Sequence, residues 1–234
     1  LDSRLPDLAG AGLLAAALAL LTLAIVEGDD WGWTAPSTLA AFGAAALLLA
    51  AVAVRGRRHP RPIVEPELFA GRAFRVGNLG TLLFSAAFFS IVLGNVLFLT
   101  SVWGYSVLTA GLAVLPGPVA TTIVSGPAGR LADRVGHRAV VLPGALLFAA
   151  GVLVLRSAGA EPDYVGTWLP GTALTGIGIG LAFPTLGAAA VRDVADDRYA
   201  TASAVNAAFR QIGAVLGTAI LIAIVGDPAS LAET

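Results

Sequence analysis

Ten residues carry the most informative pattern of the chain: Gly129-Arg130-Leu131-Ala132-Asp133-Arg134-Val135-Gly136-His137-Arg138. Long apolar stretches lie on both sides of this charged segment, over 108–131 and 139–155. A short charged segment between two apolar stretches of membrane length predicts two membrane-spanning helices joined by a tight turn outside the bilayer. Gly136 can adopt the positive φ that such a turn requires.

The charged side chains of this turn predict local electrostatic interactions. Asp133 lies among three arginines, so we expect paired charges. We also expect Asp133 to lie close to the start of the following helix, where the helix dipole favours a carboxylate. Such a cluster can fasten one helix end to another and release it when the bundle moves. The alternative is an ordinary positively charged loop on the cytoplasmic side.

Working outward from this turn, the sequence contains seven stretches with the length and composition of membrane spans. They are 8–26, 37–54, 74–99, 108–131, 139–155, 165–191 and 200–225. The composition agrees, because 57% of the 234 residues are hydrophobic and only 12% are charged, against roughly 25% charged residues in soluble domains. None of the stretches alternates with the period of two that is typical of membrane β-barrels. The sequence therefore predicts an all-α membrane protein with about seven transmembrane helices.

The arginines are distributed unevenly around these spans. With the N-terminus placed in the cytoplasm, twelve arginines fall in cytoplasmic segments, Arg156 falls in an outer loop and Arg210 falls inside the last span. Positively charged residues concentrate in the cytoplasmic loops of membrane proteins. The acidic segment 27–33, which contains two tryptophans, fits an outer loop. We therefore predict a cytoplasmic N-terminus and an extracytoplasmic C-terminus, with 227–234 as an extracellular tail.

The longest polar connection divides the chain into two parts. Residues 55–73 are rich in arginine and proline and are expected to form a cytoplasmic linker. Residues 1–54 would then form two transmembrane helices, and 74–226 would form five. The sequence begins at Leu1 and contains no methionine, so we expect it to be a truncated part of a longer protein.

The residue types exclude several kinds of chemistry. The chain has no cysteine and no lysine, which excludes disulfides, thiolate metal sites and Schiff-base cofactors. Both histidines, His59 and His137, lie beside arginines in polar segments, where solvated side chains are expected. A membrane-embedded enzyme would need paired aspartates or a Ser/His pair within the spans, and no acidic residue lies in the middle of one. We therefore predict neither an enzyme nor a protein that uses a metal, a cofactor or nucleic acid.

Four polar residues inside the spans are candidates for a substrate path: Asn95, Asn206, Arg210 and Gln211. A charge in the bilayer core costs about 2.5–3.5 kcal/mol on insertion scales, so Arg210 is expected to face protein or water. Asn206 lies one helical turn before Arg210 on the same face. The alternatives are a structural hydrogen-bond network, or snorkelling of Arg210 towards the cytoplasmic side.

Small residues within the spans predict close packing between helices. Their spacing is typical of helices that approach each other without intervening side chains. The glycines concerned are Gly176, Gly178, Gly180, Gly213 and Gly217. Pro184 is expected to add a kink. Asn78, near the start of the third span, is expected to act as a helix cap.

The charged segment resembles the signature cytoplasmic loop of the major facilitator superfamily. In order along the chain, further motifs resemble one branch of that superfamily, the fourteen-helix drug:proton antiporters. They are Trp31-Gly32-Trp33, Phe74-Arg75-x-Gly77-Asn78, Gly104-Tyr105-Ser106, Ala110-Gly111-Leu112, Pro116, Gly176-x-Gly178-x-Gly180 with Phe183-Pro184, and Asn206 with Arg210-Gln211-x-Gly213 and Gly217. One departure is Thr100-Ser101, because members of this branch often carry a glutamine there.

The resemblance implies a function and an arrangement of the helices. The first two helices would join two six-helix halves, and the other five would belong to the C-terminal half, with the remaining helices of the full-length transporter as partners. Proton-coupled efflux of small amphipathic compounds across the cell membrane, by alternating access, would be the activity. The coupling acids of the family lie largely in the N-terminal half. The loop residues implied to form a conformational switch are Gly129, Arg130, Asp133, Arg134, Gly136 and Arg138.

Two alternatives to this function stay open. The chain could be a truncated membrane paralogue that does not transport, or the transporter of one specific metabolite. A test of dye efflux by this chain alone would separate the first of these from a working exporter.

Overall fold

A computed structural model describes residues 7–32, 34–58 and 66–225. Within those ranges every regular element is a helix. Seven helical segments are long and apolar enough to cross a membrane, which confirms the predicted all-α class and the predicted number of spans. The predictions made for Trp33, His59, the tail 227–234 and two of the twelve cytoplasmic arginines, Arg4 and Arg61, lie outside the described residues.

The first part of the chain contains three α-helices and a short 3₁₀ helix. The helices are α1 (Leu8–Val26), the single turn α2 (Gly28–Trp31) and α3 (Pro36–Arg58), and the 3₁₀ helix is Pro66–Ala70. Helix α3 continues beyond Val54 to Arg58, so the beginning of the predicted linker 55–73 is helical. Arginine is a good helix former, and cations near a helix C-terminus interact favourably with the dipole.

The second part contains the remaining spans. They are α4 (Arg72–Ser101), α5 (Val107–Val114), α6 (Pro116–Val135), α7 (His137–Arg156), a π-helical turn (Tyr164–Trp168) leading into α8 (Leu169–Val191), and α9 (Tyr199–Val225), with a 3₁₀ turn (Asp196–Arg198) before α9. The predicted helix 108–131 is divided at Leu115 into α5 and α6. The physical reason is Pro116, which lacks a backbone N–H and takes the first position of a new helix.

The described residues form two compact units. One unit contains the described residues between 7 and 86 and between 190 and 225, and within it α1 packs against α3 and α9. Apolar side chains from the 3₁₀ helix, α4, the end of α8 and α9 form its buried cluster. The cluster consists of Leu68, Phe74, Ala190, Val191, Ala202 and Val205. In the same unit, Gly213 and Gly217 of α9 lie directly against the backbone carbonyls of Leu82 and Ala86, so their predicted role in close packing is confirmed.

The other unit contains residues 87–189. A cluster of large side chains includes Phe98, which stacks on Trp168 with ring centroids 5.7 Å apart, and Trp103, whose Nε1 donates to the carbonyl oxygen of Gly159 at 2.9 Å. Helices α6, α7 and α8 approach through glycines. Gly176 lies against Gly117, and Gly178 lies against the backbone of Phe148. A side chain at either glycine would collide with backbone atoms, which confirms their predicted packing role.

Candidate functional site

The charged segment forms the turn between α6 and α7. Helix α6 ends at Val135 and α7 begins at His137, so Gly136 is the only residue between them. Gly136 adopts φ +90°, as the sequence predicts, and its N–H donates to the carbonyl oxygen of Ala132 at 2.9 Å. Because φ lies in the region that L side chains rarely adopt, glycine at this position is a backbone requirement of the tight turn.

The two sides of this hairpin have different character. Ala128, Ala132 and Val140 are buried and form a small apolar cluster, against which Val124 and Leu181 pack. The charged side chains are all exposed. They are Arg130, Asp133, Arg134 and Arg138. Helix packing thus anchors the turn, while its charges remain accessible.

The predicted pairing of Asp133 with the arginines is wrong for this structure. Within 7–32, 34–58 and 66–225, no ion pair or hydrogen bond involves the side chain of Asp133, Arg130, Arg134 or Arg138. Exposed charges gain little from pairing, since water solvates each of them well and an exposed pair is worth about 0–1 kcal/mol. Proximity along the sequence was therefore insufficient to form a cluster.

The position of Asp133 also differs from the prediction. It lies in the last turn of α6 rather than at the start of α7. The residue before α7 is Gly136, and no side chain caps the first turn of that helix. A carboxylate near the C-terminus of its own helix opposes the helix dipole. Asp133 is consequently an exposed charge that the dipole of its own helix disfavours, within a well-packed turn.

A polar network connects α4 and α9 in the unit formed by residues 7–86 and 190–225. Nδ2 of Asn206 donates to Oδ1 of Asn78 at 3.0 Å and to Oγ1 of Thr81 at 3.1 Å. Asn78 and Thr81 are buried, and each also donates to a backbone carbonyl of α4. Asn78 is therefore a buried partner between helices, so its predicted role as a helix cap is wrong. For Asn206, the geometry fits the alternative of a structural network.

The other three candidates for a substrate path have different surroundings. Arg210 and Gln211 on α9 are exposed, and Asn95 on α4 is half-buried. Among the described residues, the side chain of Arg210 has neither an ion pair nor a hydrogen bond. Asn206 and Arg210 were predicted to share one face of α9. Asn206 is hydrogen-bonded to α4, whereas the side chain of Arg210 is exposed.

Two ion pairs between residues far apart in the chain were not predicted from the sequence. Nε of Arg55 lies 2.8 and 3.0 Å from the carboxylate oxygens of Asp7, whose side chain is only 2% exposed. Asp7 also accepts a hydrogen bond from the N–H of Gly10 and so caps α1. A second pair joins Arg198 to Glu67 at 2.6 Å. The position of Asp7 just before an apolar helix was a usable capping signal, but neither long-range partner could be inferred from spacing.

Comparison with known proteins adds to this geometry. A family model described as Major Facilitator Superfamily matches residues 7–218, which is most of the chain and includes the turn and the Asn78–Asn206 network. The chain belongs to the major facilitator superfamily. Members of the superfamily are transporters, and the seven apolar helices identify this member as a multi-pass membrane protein.

Several relatives of this superfamily member carry names that refer to drug resistance or export. It is 31% identical over 217 residues to "Multidrug resistance protein Stp" of Mycobacterium tuberculosis, which covers 92% of this chain and 40% of that protein. It is 30% identical over 224 residues to "Methylenomycin A resistance protein" of Streptomyces coelicolor, covering 94% of this chain and 46% of that protein. "Cephamycin export protein CmcT" of Amycolatopsis lactamdurans is 30% identical over 97% of this chain and 48% of its own length. The chain thus spans less than half the length of these curated relatives.

Proposed function

We propose that this chain is part of a secondary transporter that exports small amphipathic compounds, coupled to protons, by alternating access. Support comes from relatives named for multidrug resistance, antibiotic resistance and export, each similar over more than nine-tenths of the chain. The seven apolar helices and the signature turn fit a moving helical bundle. In this mechanism two groups of helices rock about a central site and expose it to each side of the membrane in turn.

The observation that carries the proposal is the state of the α6–α7 turn. Its backbone is fixed by Gly136 and by the buried cluster of Ala128, Ala132 and Val140, whereas its charges have no partner among the described residues. Such charges can form ion pairs in one state of a transporter and lose them in the other. Asp133, which is unfavourable at the end of its own helix, is the residue with the most to gain from a partner. We assign it the role of a latch.

The proposal includes a place for this chain in a longer transporter. Residues 1–54 would supply the two helices between the halves, 55–73 the cytoplasmic linker, and 74–226 five helices of the C-terminal half. The N-terminus would be cytoplasmic and the protein would lie in the cell membrane, which puts the α6–α7 turn in the cytoplasm. Ten of the described arginines then fall on the cytoplasmic side, in agreement with the positive-inside rule. They are Arg55, Arg57, Arg58, Arg72, Arg75, Arg130, Arg134, Arg138, Arg192 and Arg198.

The substitution Asp133→Asn tests the latch, in the protein as its gene encodes it. It removes the charge and keeps the shape, so we expect efflux of a fluorescent dye to fall about tenfold while the amount of protein in the membrane is unchanged. Asp193→Asn is the matched control, because Asp193 is another exposed aspartate beside an arginine. Equal efflux by the two variants and the unmodified protein would refute the latch. Loss of the Asp133→Asn protein from the membrane would show a role in folding instead.

A further inference from the structure

Arg210 is deeply placed for a charged side chain. Helix α9 has 27 residues and is about 40 Å long, whereas the apolar layer of a bilayer is about 30 Å thick. Arg210 follows Tyr199, the first residue of α9, by about three turns. If the excess length is shared between the two ends, its Cα lies roughly 11 Å inside the apolar layer. Even if the side chain extends towards the nearer membrane surface, the guanidinium remains below or close to the membrane–water interface.

None of the described residues neutralises the charge of Arg210. All acidic residues in the described ranges lie in loops or within about one turn of a helix end. The side-chain amide of Asn206, one turn away, donates to Asn78 and Thr81. Gln211, the next residue, is exposed like Arg210 and adds a neutral amide rather than a negative charge. An uncompensated guanidinium at membrane depth is unfavourable against lipid and is stabilised by water or by an anionic partner.

We propose that Arg210 lines a water-filled path within the membrane and binds an anionic oxygen group, such as a carboxylate, of the compound that passes. This inference rests on the proposed transport function. It adds that the transported compounds include some with a negatively charged group. Arginine suits this role because it stays charged and offers several N–H donors to one carboxylate. A carboxylate of the protein outside the described residues could also bind Arg210. The test therefore has to distinguish a carboxylate of the transported compound from one of the protein.

The absence of cysteine allows a direct test. A single thiol is introduced beside the charge by Gln211→Cys, in the protein as its gene encodes it with any other cysteines replaced. The rate of its modification is measured with an anionic reagent, 2-sulfonatoethyl methanethiosulfonate, and a cationic one, 2-(trimethylammonium)ethyl methanethiosulfonate. Each modification rate is divided by the rate at which the same reagent modifies a small free thiol, which corrects for the intrinsic reactivity of the reagent. The same measurements are made with Arg210→Gln and Arg210→Lys added.

The expected result is a preference for the anionic reagent that depends on the charge at position 210. The ratio of anionic to cationic rates should fall about tenfold with Arg210→Gln, since a unit positive charge a few ångströms away attracts the anionic reagent and repels the cationic one even in water. Arg210→Lys should retain most of the preference, because it keeps the positive charge. A purely structural role for the arginine would not produce this pattern.

Two results would overturn the inference. If neither reagent modifies the thiol, Arg210 and Gln211 face lipid and no aqueous path passes them. If both reagents react without preference and Arg210→Gln lowers the unfolding temperature, Arg210 is paired with a carboxylate of the protein. Efflux of the cationic dye ethidium by the unmodified protein is measured in parallel. Efflux without an anionic preference would leave the proposed transport function standing, whereas absence of any efflux would count against that function itself.

Discussion

Asn206 of α9 donates hydrogen bonds to both Asn78 and Thr81 of α4, at 3.0 and 3.1 Å, across 128 and 125 residues of sequence. Both accepting residues also donate to backbone carbonyls of α4, Asn78 through its Nδ2 and Thr81 through its Oγ1, so both side chains are fixed within α4. Buried side-chain amides at membrane depth stabilise a helix pair because no water is present to replace a lost partner. The Gly213 and Gly217 contacts lie further along the same pair of helices.

Removing the donor of this network should loosen α9 from α4. We expect Asn206→Ala to lower the stability of the purified protein by about 1–2 kcal/mol, the upper range for hydrogen bonds between membrane helices. Thermal unfolding in detergent measures the change. Asn95→Ala is the matched control, because Asn95 is half-buried within α4 and has no side-chain hydrogen bond among the described residues. Equal unfolding temperatures for the two variants would show that the network contributes nothing.

The pair between Asp7 and Arg55 should matter more than an exposed pair of the same type. Asp7 is 2% exposed and Arg55 is 36% exposed, so removal of Arg55 takes a charged partner from a buried carboxylate. We expect Arg55→Gln to destabilise the protein by about 1.5–3 kcal/mol, as for hydrogen bonds to charged groups. Arg192→Gln is the control, because the Arg192–Asp193 pair is 54% and 62% exposed and should be nearly neutral. A larger effect of Arg192→Gln than of Arg55→Gln would contradict this assignment.

The glycines of the helix interfaces allow a third comparison. A Cβ at Gly178 would collide with the backbone of Phe148, whereas nothing lies within 4 Å of a Cβ built at Gly126. We expect Gly178→Ala to destabilise the packing of α7 and α8 by about 1–3 kcal/mol through overpacking. Gly126→Ala should be neutral or slightly stabilising, because alanine is the better helix former. The folded fraction eluting as a single peak in size-exclusion chromatography reports both outcomes. An intact Gly178→Ala protein would show that the helices can separate at little cost.

Structural features that depend on local composition could be predicted from the sequence. Apolar length predicted the seven spans, and Gly136 between two such stretches predicted the tight turn with positive φ, because both follow from the residues of one segment. The glycine contacts were also predictable in kind, since small residues within spans have few other roles. The helix break at Leu115 was missed because apolar composition continued through it, although Pro116 was a sufficient signal.

Features that depend on distant partners could not be predicted. Asn78 was expected to cap a helix, because nothing near it in sequence indicated that Asn206 lies opposite. The pairing expected around Asp133 failed for the opposite reason: its neighbours in sequence are exposed and well solvated, so proximity alone gives no stable pair. The sequence alone therefore could not show which polar residues of α9 are structural. The hydrogen bonds of Asn206 and the exposure of Arg210 make that distinction.

The two glycines of the α6–α7 motif should respond differently to substitution. Gly136 has φ +90° and ψ 146°, a region that is essentially restricted to glycine, so Gly136→Ala and Gly136→Asn should both strain the turn by about 1–3 kcal/mol. Gly129 lies within α6, and nothing lies within 4 Å of a Cβ built there. Gly129→Ala should therefore leave stability unchanged or raise it by up to about 1 kcal/mol.

Measuring both stability and dye efflux for these variants separates folding from movement. Loss of efflux in Gly129→Ala with unchanged unfolding temperature would indicate that another segment approaches Gly129 in a second state, because the space beside it is open in this one. Loss of efflux in Gly136→Ala should accompany a lower unfolding temperature, since the strain is in the turn itself. If Gly136→Ala unfolds at the temperature of the unmodified protein, the turn can adopt another backbone conformation, and a fixed turn cannot be the basis of the latch proposed for Asp133.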